Sequence, residues 1–165
     1  MLSFMRACDR LCLAIGIVLF TLSFSAFAEK VSFDGVQYYT INPVVHQFKS
    51  GSSIVHWQGN GLMGMKQPNS IFQNLRVECA GAMDSRKEGV WKGEGYCDHI
   101  DRDGDVWVGH WWVDNTMPAS KFEVIHGTGK YVGASGGGTA KCSELKPGPN
   151  GAMVCDITGM VELKR

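Results

Sequence analysis

The cysteines from position 79 onwards indicate how the side chains of this part of the chain alternate. Counting by twos from Cys79, Cys97 and Cys155 gives mostly apolar or small residues, whereas the residues between them are mostly charged or polar. The apolar or small set comprises Ile71, Leu75, Val77, Trp91, Gly93, Gly95, Met153, Ile157, Gly159, Val161 and Leu163. This alternation is typical of strands with one buried and one solvent-exposed face. The sequence therefore predicts an all-β domain.

The chain begins with the features of a secretory signal peptide, predicted over residues 1–28. Arg6 and Arg10 precede an almost wholly apolar run, which ends in the small-residue cleavage signal Ala26-Phe27-Ala28. A retained membrane anchor is the alternative, since the run is borderline in length for a span. Cleavage would leave a 29–165 domain, with no membrane span, in the periplasm or the medium. That domain has a formal charge of −1 and no basic stripe, which excludes nucleic acid as an expected partner.

Four cysteines remain after cleavage, and an even number in an oxidising compartment favours two disulfides. Three pairings are formally possible. Cys142 and Cys155 are equidistant from the centre of the turn signal at 146–151, so we expect them to face each other across a hairpin. Cys79 and Cys97 flank a loop at 81–89 less symmetrically, which predicts a second disulfide between adjacent strands with a slight offset or bulge.

Eight candidate strands follow from the apolar runs and the turn signals between them. We place them at residues 31–40, 52–66, 70–81, 89–100, 104–113, 120–126, 137–144 and 152–163. A stretch with six glycines at 126–139 suits a tight crossing between two strands. Tryptophan and glycine alternate on one face, which is how a small barrel fits large rings. The sequence predicts a single eight-stranded antiparallel up-and-down barrel stapled by two disulfides, with an open sandwich as the alternative.

Several short motifs recur in an order known from one group of proteins. Gly95-Tyr96-Cys97, residues 101–105 (DRDGD), residues 127–131 (GTGKY) and residues 133–136 (GASG) resemble bacterial exported proteins of the allene oxide cyclase/dirigent barrel-like group. The resemblance covers roughly residues 79–161. It implies a calycin-type, eight-stranded antiparallel barrel, and an oligomer is common among such relatives. Plant members act on fatty-acid epoxides or steer the coupling of phenolic radicals. No active-site residue of theirs is transferred to this chain.

Two loop segments are expected to be structural turns. Their residues are Asp101, Asp103, Gly104, Asp105, Gly127, Gly129, Lys130 and Tyr131. The acidic segment lacks the spacing of a calcium-binding EF-hand loop, and the glycine-rich segment lacks both phosphate-loop patterns. We expect the second segment to pack over one end of the barrel. A copper(I) site at His56, Met63 and Met65 is disfavoured, since alternation puts the methionines opposite the histidine. No metal or cofactor is expected.

The inward-facing residues supply the candidate functional groups. Trp57, Trp91, Trp107 and Trp111 are expected to form an aromatic wall that binds a ligand, and no G-x-S-x-G nucleophile motif occurs. Three polar residues also count as inward: Gln73, His126 and Glu144.

These groups lead to three hypotheses of different classes. The first is non-catalytic binding of a small hydrophobic or aromatic molecule. The second is an allene-oxide-cyclase- or dirigent-like enzyme that uses the three inward polar residues to steer a bound lipid or phenolic compound. The third is a structural or protein-binding module with an outer patch at Tyr96 and Trp112, and a homo-oligomer remains open.

Overall fold

The computed structural model describes residues 28–86, 89–146 and 151–164, which form a closed barrel of eight antiparallel strands. The predicted leader up to residue 27 and the turn at 147–150 lie outside the described residues. Within the described part of the chain, no helix is long and apolar enough to span a bilayer. The strands are β1 (Ala28–Gln47), β2 (Ser53–Met65), β3 (Leu75–Ser85), β4 (Trp91–Ile100), β5 (Val106–Asp114), β6 (Ser120–Gly127), β7 (Ser135–Lys146) and β8 (Gly151–Lys164).

Each strand pairs with its neighbours in sequence, and β1 closes the sheet. Gly35 of β1 lies opposite Met65 of β2 on one side and opposite Ile157 of β8 on the other. Closure leaves every strand with two partners and removes the sheet edges. The predicted up-and-down barrel is confirmed.

Both predicted disulfides are present. Cys79 lies directly opposite Cys97, and Cys142 directly opposite Cys155, with Cα–Cα distances of 4.1 and 3.9 Å. The offset that we expected between Cys79 and Cys97 is wrong, because the pairing of β3 with β4 runs from Ser85 to Arg76 without a register shift. The irregularities fall instead between β5 and β6 and between β7 and β8.

The inner face of the barrel is the one that the cysteines mark. Leu75, Val77, Trp107, Ile157 and Val161 come from three strands, and each is at most 4% exposed in one continuous core. Their neighbours in sequence on β3 and β8, such as the charged residues at 76, 78 and 156, are exposed. The period of two therefore separates core from solvent as predicted.

The largest differences from the predicted strand boundaries are in β1 and β3. β1 continues seven residues beyond position 40 and includes Pro43, although we expected this proline to lie between strands. Past Ile41, β1 pairs only with β2, so a residue without an N–H is tolerated there. β3 begins at Leu75 rather than at residue 70, because residues 66–74 form a turn in which Asn69 and Asn74 have positive φ.

One end of the barrel is filled by side chains from its connections, and we call it the closed end. Phe72 from the β2–β3 turn and Tyr131 from a 3-10 turn (Gly129–Tyr131) are fully buried, with stacked rings 6.1 Å apart. Phe72 also meets the edge of Trp107 at 6.2 Å. The Tyr131 hydroxyl donates a hydrogen bond of 3.3 Å to the carbonyl of Ile71. Tyr131 packs into this end, in agreement with the expectation for its segment.

The acidic turn is tied to the glycine-rich connection at the closed end. Asp101 Oδ1 accepts the backbone N–H groups of Asp103 and Asp105 at 2.8 and 3.0 Å. Lys130 Nζ forms ion pairs with Asp101 and Asp103, and the Lys130 N–H donates to Asp105 Oδ2 at 3.1 Å. Burial opposes ionisation of Asp101, but the hydrogen bonds from Lys130 and the backbone lower its pKa overall. Gly104, with a φ of +88°, allows the tight turn.

Candidate functional site

The opposite end of the barrel, which we call the open end, leads into a cavity of about 450 Å³. Its lining comes from the inner faces of the strands and from the β5–β6 loop at 115–119, and it is mostly apolar. A volume of this size lies within the range of roughly 300 to 1,000 Å³ that small-molecule sites occupy. The cavity is therefore large enough for a ligand of one or two rings.

The four tryptophans of the predicted wall all line this cavity. The rings of Trp57 and Trp111 stack at 5.4 Å, and Tyr39 also stacks on Trp57 at 6.1 Å. Trp107 lies deeper and is 2% exposed. The strands thus bring together the aromatic residues that alternation assigned to the inside. Their binding role stays a prediction.

Glycines opposite Trp111 make room for its ring. A Cβ on Gly95 would lie 2.7 Å from the six-membered ring of Trp111, and one on Gly81 would collide with the same atom. Glycine is needed here for close approach rather than for an unusual backbone conformation. The glycines of β3 and β4 therefore form the slot that fixes this wall of the cavity.

The polar group of greatest interest in the cavity is His99, which the sequence analysis did not single out. Its ring is 5% exposed and lies parallel to the Trp107 ring, 3.6 Å away at 2°. Burial lowers the pKa of His99 to about 3, against the opposing effect of the backbone at Cys97 and Trp107. The imidazole is therefore neutral throughout the physiological range. Counting by twos from Cys97 towards the C-terminus reaches this residue, so the signal was present.

Two further polar side chains line the cavity close to the disulfides. Gln37, 7% exposed, donates through Nε2 to Cys79 Sγ at 3.7 Å. The Tyr39 hydroxyl lies 3.4 Å from Cys155 Sγ, and burial raises the pKa of Tyr39 to about 12. Sulfur is a weak acceptor, so both groups keep hydrogen-bonding capacity. No cysteine or turn signal set the alternation of β1, which is why Gln37 was missed.

Three buried nitrogens on the cavity-lining side chains have no hydrogen-bond partner in the part of the chain that the structure describes. They are His99 Nδ1, Trp107 Nε1 and Trp111 Nε1. Buried polar atoms are nearly always paired, and leaving one unpaired costs about 1 to 3 kcal/mol. Unpaired polar atoms concentrated on the lining of a cavity are typical of a binding site.

The three polar residues expected to face inward lie outside the cavity lining, so their placement was wrong. Gln73 belongs to the β2–β3 turn, because the positive φ of Asn74 interrupts the alternation, and its Oε1 accepts the N–H of Met65 at 2.7 Å. His126 is exposed, since a bulge between β5 and β6 places it opposite Val108.

Glu144 is exposed beside the second irregularity, between β7 and β8. The bulge resets the count of two at His126, whereas Glu144 lies before the register shift and keeps the register of Cys142, opposite Met153. Glu144 is exposed because residues 141–145 of β7 are all exposed. The structure therefore brings none of the three polar candidates to the aromatic wall.

The disfavoured copper residues are also separated. Met63 and Met65 are buried in the core, whereas His56 is exposed and its ring lies 5.7 Å from that of His46. Among the residues that the structure describes, no three histidine, cysteine, aspartate or glutamate side chains are grouped so that they could hold a metal ion.

The comparisons with known proteins concern the fold alone. No family model and no curated protein matches the chain. The pterocarpan synthase dirigent protein GePTS1 has a similar structure, with a TM-score of 0.54 and 13% sequence identity over 84% of this chain and 94% of that one. A protein of unknown function from the DUF3224 family of Shewanella oneidensis MR-1 aligns with a TM-score of 0.45 and 10% identity over 79% and 96%. The chain thus has a barrel fold similar to that of a dirigent protein.

Proposed function

We propose that this protein is an exported β-barrel that binds a small hydrophobic or aromatic molecule without covalent chemistry. The observation that carries the proposal is the cavity of about 450 Å³ behind the aromatic wall. A ligand in it would lie against Trp57 and Trp111, whose rings already stack on each other. Aromatic walls with a few polar groups favour ligands of mixed apolar and polar character.

Export is the second part of the proposal. The leader predicted from Arg6, Arg10 and the small-residue cleavage signal supports it. Two disulfides between neighbouring strands also fit an oxidising compartment, since such bonds are rare where thiols are kept reduced. Cell fractionation with sequencing of the mature N-terminus tests this part, and an uncleaved chain in the cytosol would contradict it.

Binding can be tested with N-phenyl-1-naphthylamine, an uncharged probe that fluoresces in apolar surroundings. We expect saturable enhancement with the purified protein, and weaker affinity in Trp111→Phe by about tenfold, since part of the cavity wall is lost. Trp112→Phe is the matched control, because Trp112 is the next residue on β5 and does not line the cavity. Equal affinity in both variants, or no enhancement at all, would contradict the proposal.

A second candidate function is steering of a reaction by a fixed ligand conformation. The specific observation in its favour is the structural similarity to a protein described as a pterocarpan synthase. The groups available for it are those that line the cavity, His99, Tyr39 and Gln37, rather than the three polar residues expected from the sequence. Chiral chromatography of a phenol coupled by a laccase tests it. An enantiomeric excess lost in His99→Asn supports steering, and a racemic product with the unmodified protein contradicts it.

A third candidate, protein binding or self-association, is favoured by an aromatic row on the outer face. Tyr96 is 54% exposed and stacks on His110 at 5.0 Å, and Trp112 follows His110 at 5.4 Å. Glu94 and Glu123 flank the row. Analytical ultracentrifugation of the protein and of Tyr96→Ser tests it, since a monomer in both cases contradicts self-association.

A further inference from the structure

We infer that the cavity selects uncharged molecules that carry a hydrogen-bonding group, and that it rejects carboxylates and ammonium ions. The inference rests on the proposed binding function and names the class of ligand. Two observations support it: the cavity lining has no buried charged group, and it carries unpaired neutral polar atoms.

The lining offers no buried partner for a charged ligand. Of the described residues that line the cavity, Lys141 alone carries a charge at neutral pH. Lys141 is exposed, it lies opposite Asp156 of β8, and its neighbours Ala140 and Cys142 are the residues of β7 that alternation turns inward. A carboxylate or an ammonium group deep in the cavity would lose its hydration without gaining a counter-charge, which is strongly unfavourable.

The lining does offer neutral donors and acceptors. His99 lies flat against Trp107, so its ring cannot turn freely, and Nδ1 has no partner among the described residues. Within the same part of the chain, the indole N–H groups of Trp107 and Trp111 also lack acceptors, and the Gln37 amide has only a sulfur atom at 3.7 Å. A hydroxyl, ketone or amide on the ligand can pair with such groups at little desolvation cost. The deep end of the cavity therefore favours a neutral polar group attached to an apolar body.

Three naphthalene derivatives of nearly equal size separate charge from shape. They are 2-naphthamide, 2-naphthoate and 2-(aminomethyl)naphthalene, which at pH 7 are neutral, anionic and cationic. Each is titrated against the complex with N-phenyl-1-naphthylamine, and its affinity is obtained from displacement of the probe. We expect the amide to displace the probe and the two ions to bind at least about a hundredfold more weakly, because their charges remain unpaired.

Two variants test which residues provide the selectivity. In His99→Phe, or in Gln37→Met should the first variant fail to fold, we expect the preference for 2-naphthamide over 2-methylnaphthalene to fall by about tenfold. If the residue has a purely structural role, the affinities for both ligands should fall alike and their ratio should stay unchanged. That result would contradict a role in selecting the polar group. Lys141→Gln is the control for the rim and should leave the preference for the amide over the naphthoate unchanged.

The outcomes distinguish this inference from the binding function. Absence of binding by N-phenyl-1-naphthylamine overturns both. Binding of that probe with equal displacement by the amide and the naphthoate overturns only the selectivity. The same holds if the amide fails to displace the probe, or if the naphthoate binds as tightly as the amide through Lys141.

Discussion

The closed and open ends of the barrel share the same eight strands but differ in what their connections contribute. At the closed end, the β2–β3 turn inserts Phe72 and the β6–β7 connection inserts Tyr131, and both are fully buried. At the open end, the large apolar residues next to the strands at Phe48 and Val90 are about half exposed. The connections therefore decide which end is filled and which keeps a cavity.

The two ends also differ in how their walls are held. Packed rings stabilise the closed end, whereas three of the four bonded cysteines, Cys97, Cys142 and Cys155, line the cavity of the open end. A wall around an empty space lacks the contacts of a filled core. Covalent links between neighbouring strands offset that loss. This comparison predicts different responses to substitution at the two ends.

The largest loss of stability is expected from truncating Phe72, one of the two rings that fill the closed end. Phe72→Ala should lower the free energy of unfolding by about 3 to 5 kcal/mol, because it leaves a void among rings that cannot collapse. Trp91→Ala at the open end removes a larger side chain but should cost less than about 2 kcal/mol, since that ring is only half-buried beside the cavity. Urea unfolding of both variants measures the difference, and equal losses would break the comparison.

The next largest loss of stability is expected from removing a disulfide beside the cavity. Replacing Cys142 and Cys155 together by serine should lower the free energy of unfolding by about 3 kcal/mol, as the chain-entropy model gives for a separation of 13 residues. Thermal unfolding of this variant, with the Cys79/Cys97 double serine variant alongside, provides the measurement. A loss below about 1 kcal/mol in both would show that packing alone holds the open end.

His99, deep in the cavity, gives a pH dependence of known sign. Its pKa is about 3 when folded and near 6.5 when unfolded, so its contribution is present above pH 6.5 and is lost as the pH falls towards 3. From pH 7 to 5 the loss should be about 2 kcal/mol. Urea unfolding at both pH values checks this, with His99→Asn as the control that lacks the dependence. The same dependence in the variant would show that another group causes it.

The smallest effect is expected at the surface of the closed end. Lys130→Met removes the ion pairs to Asp101 and Asp103 and should cost about 1 kcal/mol, because one of the three groups is well shielded and the other two are open to solvent. Thermal unfolding in low and high salt measures it. A salt-independent loss would indicate that packing of the lysine stem, rather than its charge, matters.

The sequence was sufficient for the barrel because its strands obey a strict period of two. The cysteines gave that period a fixed origin, so Leu75, Ile157 and Trp107 were correctly assigned to one interior. The count from Cys97 reached Trp91, and the centre of the turn at 101–105 assigned Trp107 and Trp111 to the same face. Turn symmetry then gave the Cys142–Cys155 pair, and the loop between adjacent strands gave the Cys79–Cys97 pair.

The polar candidates Gln73 and His126 were misplaced because the period of two is interrupted near them, whereas the count from Cys97 does reach His99. A bulge turned His126 outward, and the left-handed Asn74 placed Gln73 in a turn. An insertion of one residue cannot be recognised from composition, but it turns every following side chain of the strand to the opposite face of the sheet.

Glu144 keeps the register of Cys142 but belongs to an exposed stretch of β7. Phe72 was missed because it lies in the same turn as Gln73, which ends at Asn74 and interrupts the alternation.

The most direct test of the account is a crystal structure of the protein with a brominated naphthamide, in which anomalous scattering locates the bromine atom. We expect the bromine inside the barrel, within contact of Trp57 or Trp111, with the amide near His99. Bromine on the outer row at Tyr96 and Trp112, or a cavity closed by side chains that have moved inward, would contradict it.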